Sequence, residues 1–348
     1  MSGADHLLNL SLDNGWKVIR HLARHPNGTG GTFSQSYMVE KNGRRGFLKA
    51  FDFSEAFEPG ADTVTILQLL SNAYNYEKEI LTHCSGLRLS NVVLAIDYGQ
   101  VQVPKLGSME GRVFYLIFEM AEGDVRVQMD VKKKFPAVWC MRALKDVSLG
   151  LWQVHREMIA HQDAKPSNVL AFSDGPFKVA DFGRSSRNGF AAPHDHCVVA
   201  GDPGYAPPEL LYGFTHPEFV ARRMGCDLYM LGNLAAFLFS GVNVTAQLVA
   251  NMDEQHRPHK WGATYKEVLP YLRNSFTTVL RDLRPLVDDA VVEDVITLVK
   301  ELCYPDIELR GHPKGIGHHS QFSLERYVSR LDLLSRKLEI RQRIGKVA

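Results

Sequence analysis

Two short stretches constrain this chain more than any others. His161-Gln162-Asp163-Ala164-Lys165-Pro166-Ser167-Asn168 sets a carboxylate, a lysine two residues on and an asparagine five residues on. Eighteen positions after Asp163 comes Asp181-Phe182-Gly183. Apolar residues over 147–159 predict a helix feeding the first stretch, and 177–180 predict a short strand feeding the second. Phosphoryl transfer from a nucleotide needs this inventory: a carboxylate to orient a hydroxyl, a cation beside the moving group, and two oxygen ligands for Mg²⁺.

His161-Gln162-Asp163-x-Lys165-Pro166-x-Asn168 resembles the protein-kinase catalytic loop H-R-D-x-K-P-x-N, and Asp181-Phe182-Gly183 resembles the metal-binding D-F-G. In this order and at this spacing they mark a resemblance to eukaryotic-like (Hanks-type) Ser/Thr protein kinases, running over about residues 16–340. The resemblance implies an α+β, bilobal fold: a small antiparallel-sheet N-lobe with one main helix, and a larger, mainly helical C-lobe. On that basis residues 1–15 are an N-terminal lead, 16–119 the N-lobe and 120–320 the C-lobe. Residues 321–348 are then a basic helix belonging to the C-lobe or packed on it.

The implied site follows residue by residue. Asp163 orients the hydroxyl and takes its proton, and Lys165 steadies the transferring group. Asn168 and Asp181 bind Mg²⁺. Lys49, in the apolar run Phe47-Leu48-Lys49-Ala50, contacts the ATP phosphates and pairs with a glutamate on a helix over 65–83. Glu77 suits that partner better than Glu79, since it precedes two charged residues and then Ile80-Leu81. Gly28, Gly30 and Gly31 let backbone N–H groups approach the phosphates. That loop is an incomplete match: with Phe33 as its tip, the three glycine positions fall on Thr29, Gly31 and Ser34. The backbone from Glu119 to Ala121 holds the adenine edge, Phe118 sits behind it, and Asp124 reaches the ribose.

Further segments extend the likeness. Gly201-Asp202-Pro203-Gly204-Tyr205-Ala206-Pro207-Pro208-Glu209 resembles the segment that supports peptide substrates, and Arg310 matches the arginine that pairs with Glu209. Asp227 begins a helix whose family counterpart accepts backbone N–H bonds from the catalytic loop. Three departures matter. Gln162 replaces the arginine that usually binds a phosphorylated activation loop, which argues against such phosphorylation as the main switch. Asp202 replaces threonine; it could pair with Lys165, yet a second carboxylate near Asp163 would be expected to raise its pKa. Pro207 replaces alanine.

Strands are predicted at 16–22, 33–40, 45–51, 92–98 and 113–118. Helices are predicted at 136–158, 264–274, 275–284, 291–303 and 323–344, with a buried helix within 228–242. The 52–62 connection is longer than usual and has no assigned role. His194, His196 and Cys197 read as a solvated loop, since metal sites show spaced ligand pairs. A net charge of +1 gives no field for nucleic acid, and no run of 18 apolar residues suggests a membrane span. Five scattered cysteines suit reduced thiols in a cytoplasmic setting. The basic tail is a solvated face or a dock for a partner.

The resulting expectation is an ATP- and Mg²⁺-dependent Ser/Thr kinase with a protein substrate and a possible regulatory partner protein. A nucleotide-binding pseudokinase, a weakly active scaffold and a small-molecule phosphotransferase on the same scaffold stay open beside it.

Overall fold

The computed structural model describes residues 2–23, 34–58, 60–104, 106–107, 109–132, 135–173 and 175–347. The predicted glycine-loop positions Gly28, Gly30 and Gly31 lie outside the described residues.

Strand alternation builds the small lobe. β1 (Lys17–His21), β2 (Ser34–Lys41) and β3 (Arg44–Phe51) precede α1 (Thr63–Gly86), and β4 (Ala95–Gln102) and β5 (Arg112–Glu119) follow it. The five strands pair antiparallel in the order β1-β2-β3-β5-β4. The β2–β3 turn needs positive φ at both central residues, and Asn42 (51°) and Gly43 (77°) supply it. Side chains alternate across a strand. Leu48 and Ala50 of β3, with Tyr115 and Ile117 of β5, therefore enter one core. Phe47 and Phe51, with Leu116 and Phe118, join the other face, which packs with α1 and runs into the large-lobe core. Lys49 shares that second face by parity, which aims it at α1.

The opening residues cover the first face. Ala4, Leu7 and Leu12 bury in the same core as Trp16, Val18 and Tyr37. The Tyr37 hydroxyl donates to the Ala4 carbonyl at 2.7 Å. The 52–62 connection also acquires a role here: Asp52 accepts a hydrogen bond from the Ser2 hydroxyl, and Phe53 stacks on Phe114 at 5.4 Å. It fastens the first residues of the chain to the end of β3.

Two predicted elements change. The strand expected at 92–98 starts instead at Ala95 and runs to Gln102. Val93 donates to the Val179 carbonyl at 2.9 Å, and Val179 donates to that of Asn91 at 2.9 Å, so residues 91–93 are held by the large lobe. The helices expected at 264–274 and 275–284 are one, because Leu272, Phe276, Val279 and Leu283 carry a single buried stripe across the supposed break.

The large lobe begins with β6 (Gly123–Asp124), α2 (Val125–Lys132) and α3 (Ala137–Arg156). Short strands β7 (Ile159–Ala160), β8 (Val169–Ala171), β9 (Lys178–Val179) and β10 (Ser186–Arg187) frame the two motifs. β6-β8-β9 form one small sheet and β7-β10 another. Then come α4 (Pro208–Leu211), α5 (Gly225–Ser240), α6 (Val244–Ala250), α7 (Tyr265–Leu283), α8 (Val292–Leu302) and α9 (Glu325–Val347). In α5 every residue from Gly225 to Ala236 is buried. α9 lays Tyr327, Leu331, Leu334 and Leu338 into the same core. No single helix among the described residues is long and apolar enough to cross a membrane.

The predicted Glu209–Arg310 pair ties α4 to the segment after α8. Arg310 donates to both Glu209 oxygens at 2.6 Å, and both side chains are buried. It also donates to the carbonyls of Tyr304, Pro305 and Gly225. Removing one partner of such a pair strands a buried charge. Arg310→Met should therefore lose about 3–5 kcal/mol of stability in denaturant unfolding; an unchanged midpoint would contradict this burial.

Candidate active site

The loop over 161–168 is shaped from beneath by Asp227, in the first turn of α5. Its two oxygens accept the backbone N–H groups of His161 (2.7 Å) and Gln162 (2.6 Å), and His155 Nε2 lies 2.8 Å away. Asp227 is fully buried. These bonds hold Gln162 at φ +61°, a conformation that side chains rarely adopt.

Asp163 is surrounded by donors. Asn168 Nδ2 reaches its Oδ2 at 2.9 Å and its carbonyl at 2.8 Å, the Asp202 N–H reaches its Oδ1 at 2.8 Å, and Lys165 Nζ lies 3.1 Å from Oδ2. The Asn168 amide nitrogen is thereby committed, which leaves its side-chain carbonyl oxygen as the atom that could hold a metal. Burial raises the Asp163 pKa; Lys165 opposes this, and the charge of Asp181 adds to it. The expected repulsion from Asp202 is not a principal cause. Its carboxylate turns to Lys165 Nζ (3.3 Å) and the Gly204 N–H (2.9 Å), while its own backbone N–H stabilises ionised Asp163. Gly201 permits the close crossing, since a Cβ there would sit 2.2 Å from the Gln162 carbonyl oxygen.

Opposite this loop, Lys49 Nζ contacts both Glu77 oxygens at 2.9 Å and Asp181 Oδ1 at 3.1 Å. Glu77 is buried, whereas Glu79 is exposed on the other side of α1. Burial works against the Lys49 charge, but Asp181 and Glu77 outweigh it and hold its pKa above the ordinary lysine value. Lys49 in turn holds the Asp181 carboxyl below its ordinary value. Asp181 itself takes φ +64°.

Between the lobes lies a cleft of about 470 Å³. Phe47, Val93, Phe118, Leu170 and Ala180 line it with apolar surface, and Lys49, Asn168 and Asp181 line its polar end. Glu119 and Ala121 border it. The Glu119 side chain is used elsewhere, accepting from Lys178 Nζ at 2.7 Å and the Leu94 N–H at 2.7 Å, so only its backbone is available for a ligand edge. Asp124 also lines the cleft, with Oδ1 capping α2 through the Val127 N–H at 2.9 Å. An apolar slot ending in one lysine and two side chains with oxygen atoms, Asn168 and Asp181, suits a nucleotide with a hard divalent cation.

The sequence profile of the protein kinase domain matches residues 68–322. This chain belongs to the protein kinase family. The match starts within α1, so Lys49 precedes it and is brought to the site by the sheet. Among curated proteins, the CTD kinase subunit alpha of Saccharomyces cerevisiae is 29% identical over 168 residues, covering 47% of this chain and 31% of that protein. The Ser/Thr protein kinase PknL of Mycobacterium tuberculosis is 27% identical over 187 residues, covering 52% of this chain and 43% of that protein. Human cyclin-dependent kinase 9 is 32% identical over 131 residues, covering 36% and 35%. The chain thus aligns with less than half the length of each of these relatives.

Sequence reasoning missed three residues in this kinase site. His155 buttresses Asp227 from α3. Arg223 Nη1 donates to Gln162 Oε1 at 2.6 Å, and Arg223 Nη2 lies 3.2 Å from Asp195 Oδ1. The available signal was position: Arg223 stands four residues before Asp227, one helical turn away.

Asp227→Asn replaces one acceptor by a donor that faces another N–H. Bonds to a charged group are worth about 1.5–3 kcal/mol. The His161 and Gln162 amides should therefore exchange hydrogen at least about tenfold faster; unchanged protection would show that Asp227 does not hold the loop.

Proposed function

We propose that this kinase transfers the γ-phosphoryl group of ATP to a serine or threonine hydroxyl of a protein. The observation that carries this reading is the convergence, on one cleft, of the locked Asp163–Lys165–Asn168 loop and the Lys49–Glu77–Asp181 cluster. Cyclin-dependent relatives are named for dependence on a regulatory subunit, and a regulatory partner protein for this chain is part of the same proposal.

In the proposed step, the substrate hydroxyl oxygen bonds to the γ-phosphorus, the bond to the β,γ-bridging oxygen breaks, and ADP leaves. Asp163 aligns the hydroxyl and receives its proton. Lys165, between Asp163 and Asp202, places a positive charge beside the moving group. Lys49, fixed by Glu77, binds the phosphates of the nucleotide. When bound at the Asn168 and Asp181 oxygens, Mg²⁺ neutralises phosphate charge. These contributions are positioning and charge stabilisation, and little covalent chemistry is asked of the protein. The buried Glu209–Arg310 pair supports a protein substrate, because it anchors the start of α4 immediately after the 201–208 segment.

Asp163→Asn should lower kcat by roughly 10²–10⁴-fold and leave nucleotide binding intact. Transfer by the variant at the parent's rate would refute the assignment. Asp163 must be ionised to accept a proton, and its pKa is raised. In the parent, kcat should therefore fall with decreasing pH along an acid limb lying above the ordinary Asp value of about 3.9. A limb at or below that value would contradict the role given to its burial.

A further inference from the structure

The segment between Asp181-Phe182-Gly183 and Tyr205 carries side-chain hydroxyls only at its start, on Ser185 and Ser186. From Arg187 to Gly204 there is no serine, threonine or tyrosine. Ser185 and Ser186 precede it, but they are 0% and 2% exposed. The Ser185 hydroxyl donates to the Phe182 carbonyl at 2.7 Å, and the Ser186 hydroxyl lies between Gln162 Nε2 (2.7 Å) and Asp195 Oδ1 (3.3 Å). No exposed hydroxyl is present there to take a phosphate.

A carboxylate of the chain faces a buried arginine instead. Asp195 Oδ2 accepts the Ala192 N–H at 2.7 Å, and Oδ1 faces both Ser186 and Arg223. The Arg223 side chain is only 6% exposed, so an unpaired guanidinium there would be costly. Asp195 is 46% exposed and its pairing is partly screened, but it compensates this buried charge from the surface side. On its other edge Arg223 binds Gln162 Oε1, while Gln162 Nε2 donates to the Arg184 carbonyl at 3.0 Å. Asp227, one turn beyond Arg223, binds the backbone N–H of the same Gln162. Arg223 lies in a π-helical turn (Val220–Met224) that leads into α5, a wider turn often found at functional positions.

We propose that Arg223 and Asp195 are positioning residues. They clamp Gln162 from its side chain as Asp227 clamps it from its backbone, and so order the catalytic loop and the 184–197 segment without any added phosphate. Their description as positioning residues for transfer rests on the kinase reading; the clamp itself does not.

The test uses the full chain treated with phosphatase and shown by mass to carry no phosphate. Hydrogen exchange of 159–163 and 184–197 is compared among the parent, Asp195→Asn, Asp195→Glu, Arg223→Gln and the double variant Asp195→Asn with Arg223→Gln, with kcat and KM for ATP measured alongside. The phosphate-free parent should be protected in both stretches. Asp195→Asn should loosen both and lower kcat about tenfold, the scale of one lost charge-assisted hydrogen bond, with KM for ATP unchanged. Asp195→Glu should restore protection, and in the Arg223→Gln background Asp195→Asn should cause little further loosening. An unprotected segment in the phosphate-free parent, or exchange unaffected by Asp195→Asn, overturns the proposal. Exchange that responds as expected in a parent that transfers no phosphate upholds the clamp and removes the kinase reading.

Discussion

The buried carboxylate of Asp227 is the constraint on which the site depends. A loop that turns back through a left-handed residue exposes N–H groups with no helix or sheet to satisfy them. Asp227 meets two of these, at His161 and Gln162, from a helix buried along its first twelve residues. With the loop fixed at that point, Asn168 can brace Asp163 and Gly201 can cross above it.

The second half of the site comes from a different part of the chain by a different physical route. Parity along β3 puts Lys49 on the cleft face, and the rise of α1 puts Glu77 opposite it. Lys49 then bridges the lobes through Asp181. Lys49 compensates both carboxylates, buried Glu77 and partly exposed Asp181. The same arrangement explains the opposed shifts: Asp181 is held ionised by Lys49, while Asp163, farther from that cation, feels burial most.

The N-terminal residues illustrate how structure outside the motifs serves the site. The sheet has two apolar faces, and α1 covers only one of them. Ala4, Leu7 and Leu12 cover the other, and Ser2 is tied to Asp52 just past β3. The strand bearing Lys49 is thus supported on its far side by residues with no motif of their own.

From the sequence alone the motif residues were legible, because phosphoryl transfer demands particular side chains at short fixed separations. Asp163, Lys165, Asn168 and Asp181 fall within one such stretch, and Lys49 stood out as a charge in an apolar strand. The sequence also narrowed the lysine's partner to two glutamates. It favoured Glu77 by its place in the family pattern, and the helix supplies the physical reason, since residues two apart on a helix point to nearly opposite sides. Arg223, Asp195 and His155 were not legible: their contacts with Gln162 and Asp227 join residues far apart in the chain, and no local pattern encodes such a distance. Likewise Val92 and Val93 read as strand by composition, yet β9 of the large lobe captured their neighbourhood. Local chemistry determined which groups could act; only packing decided which of them meet, because burial and pairing are properties of the folded interior and not of any one segment.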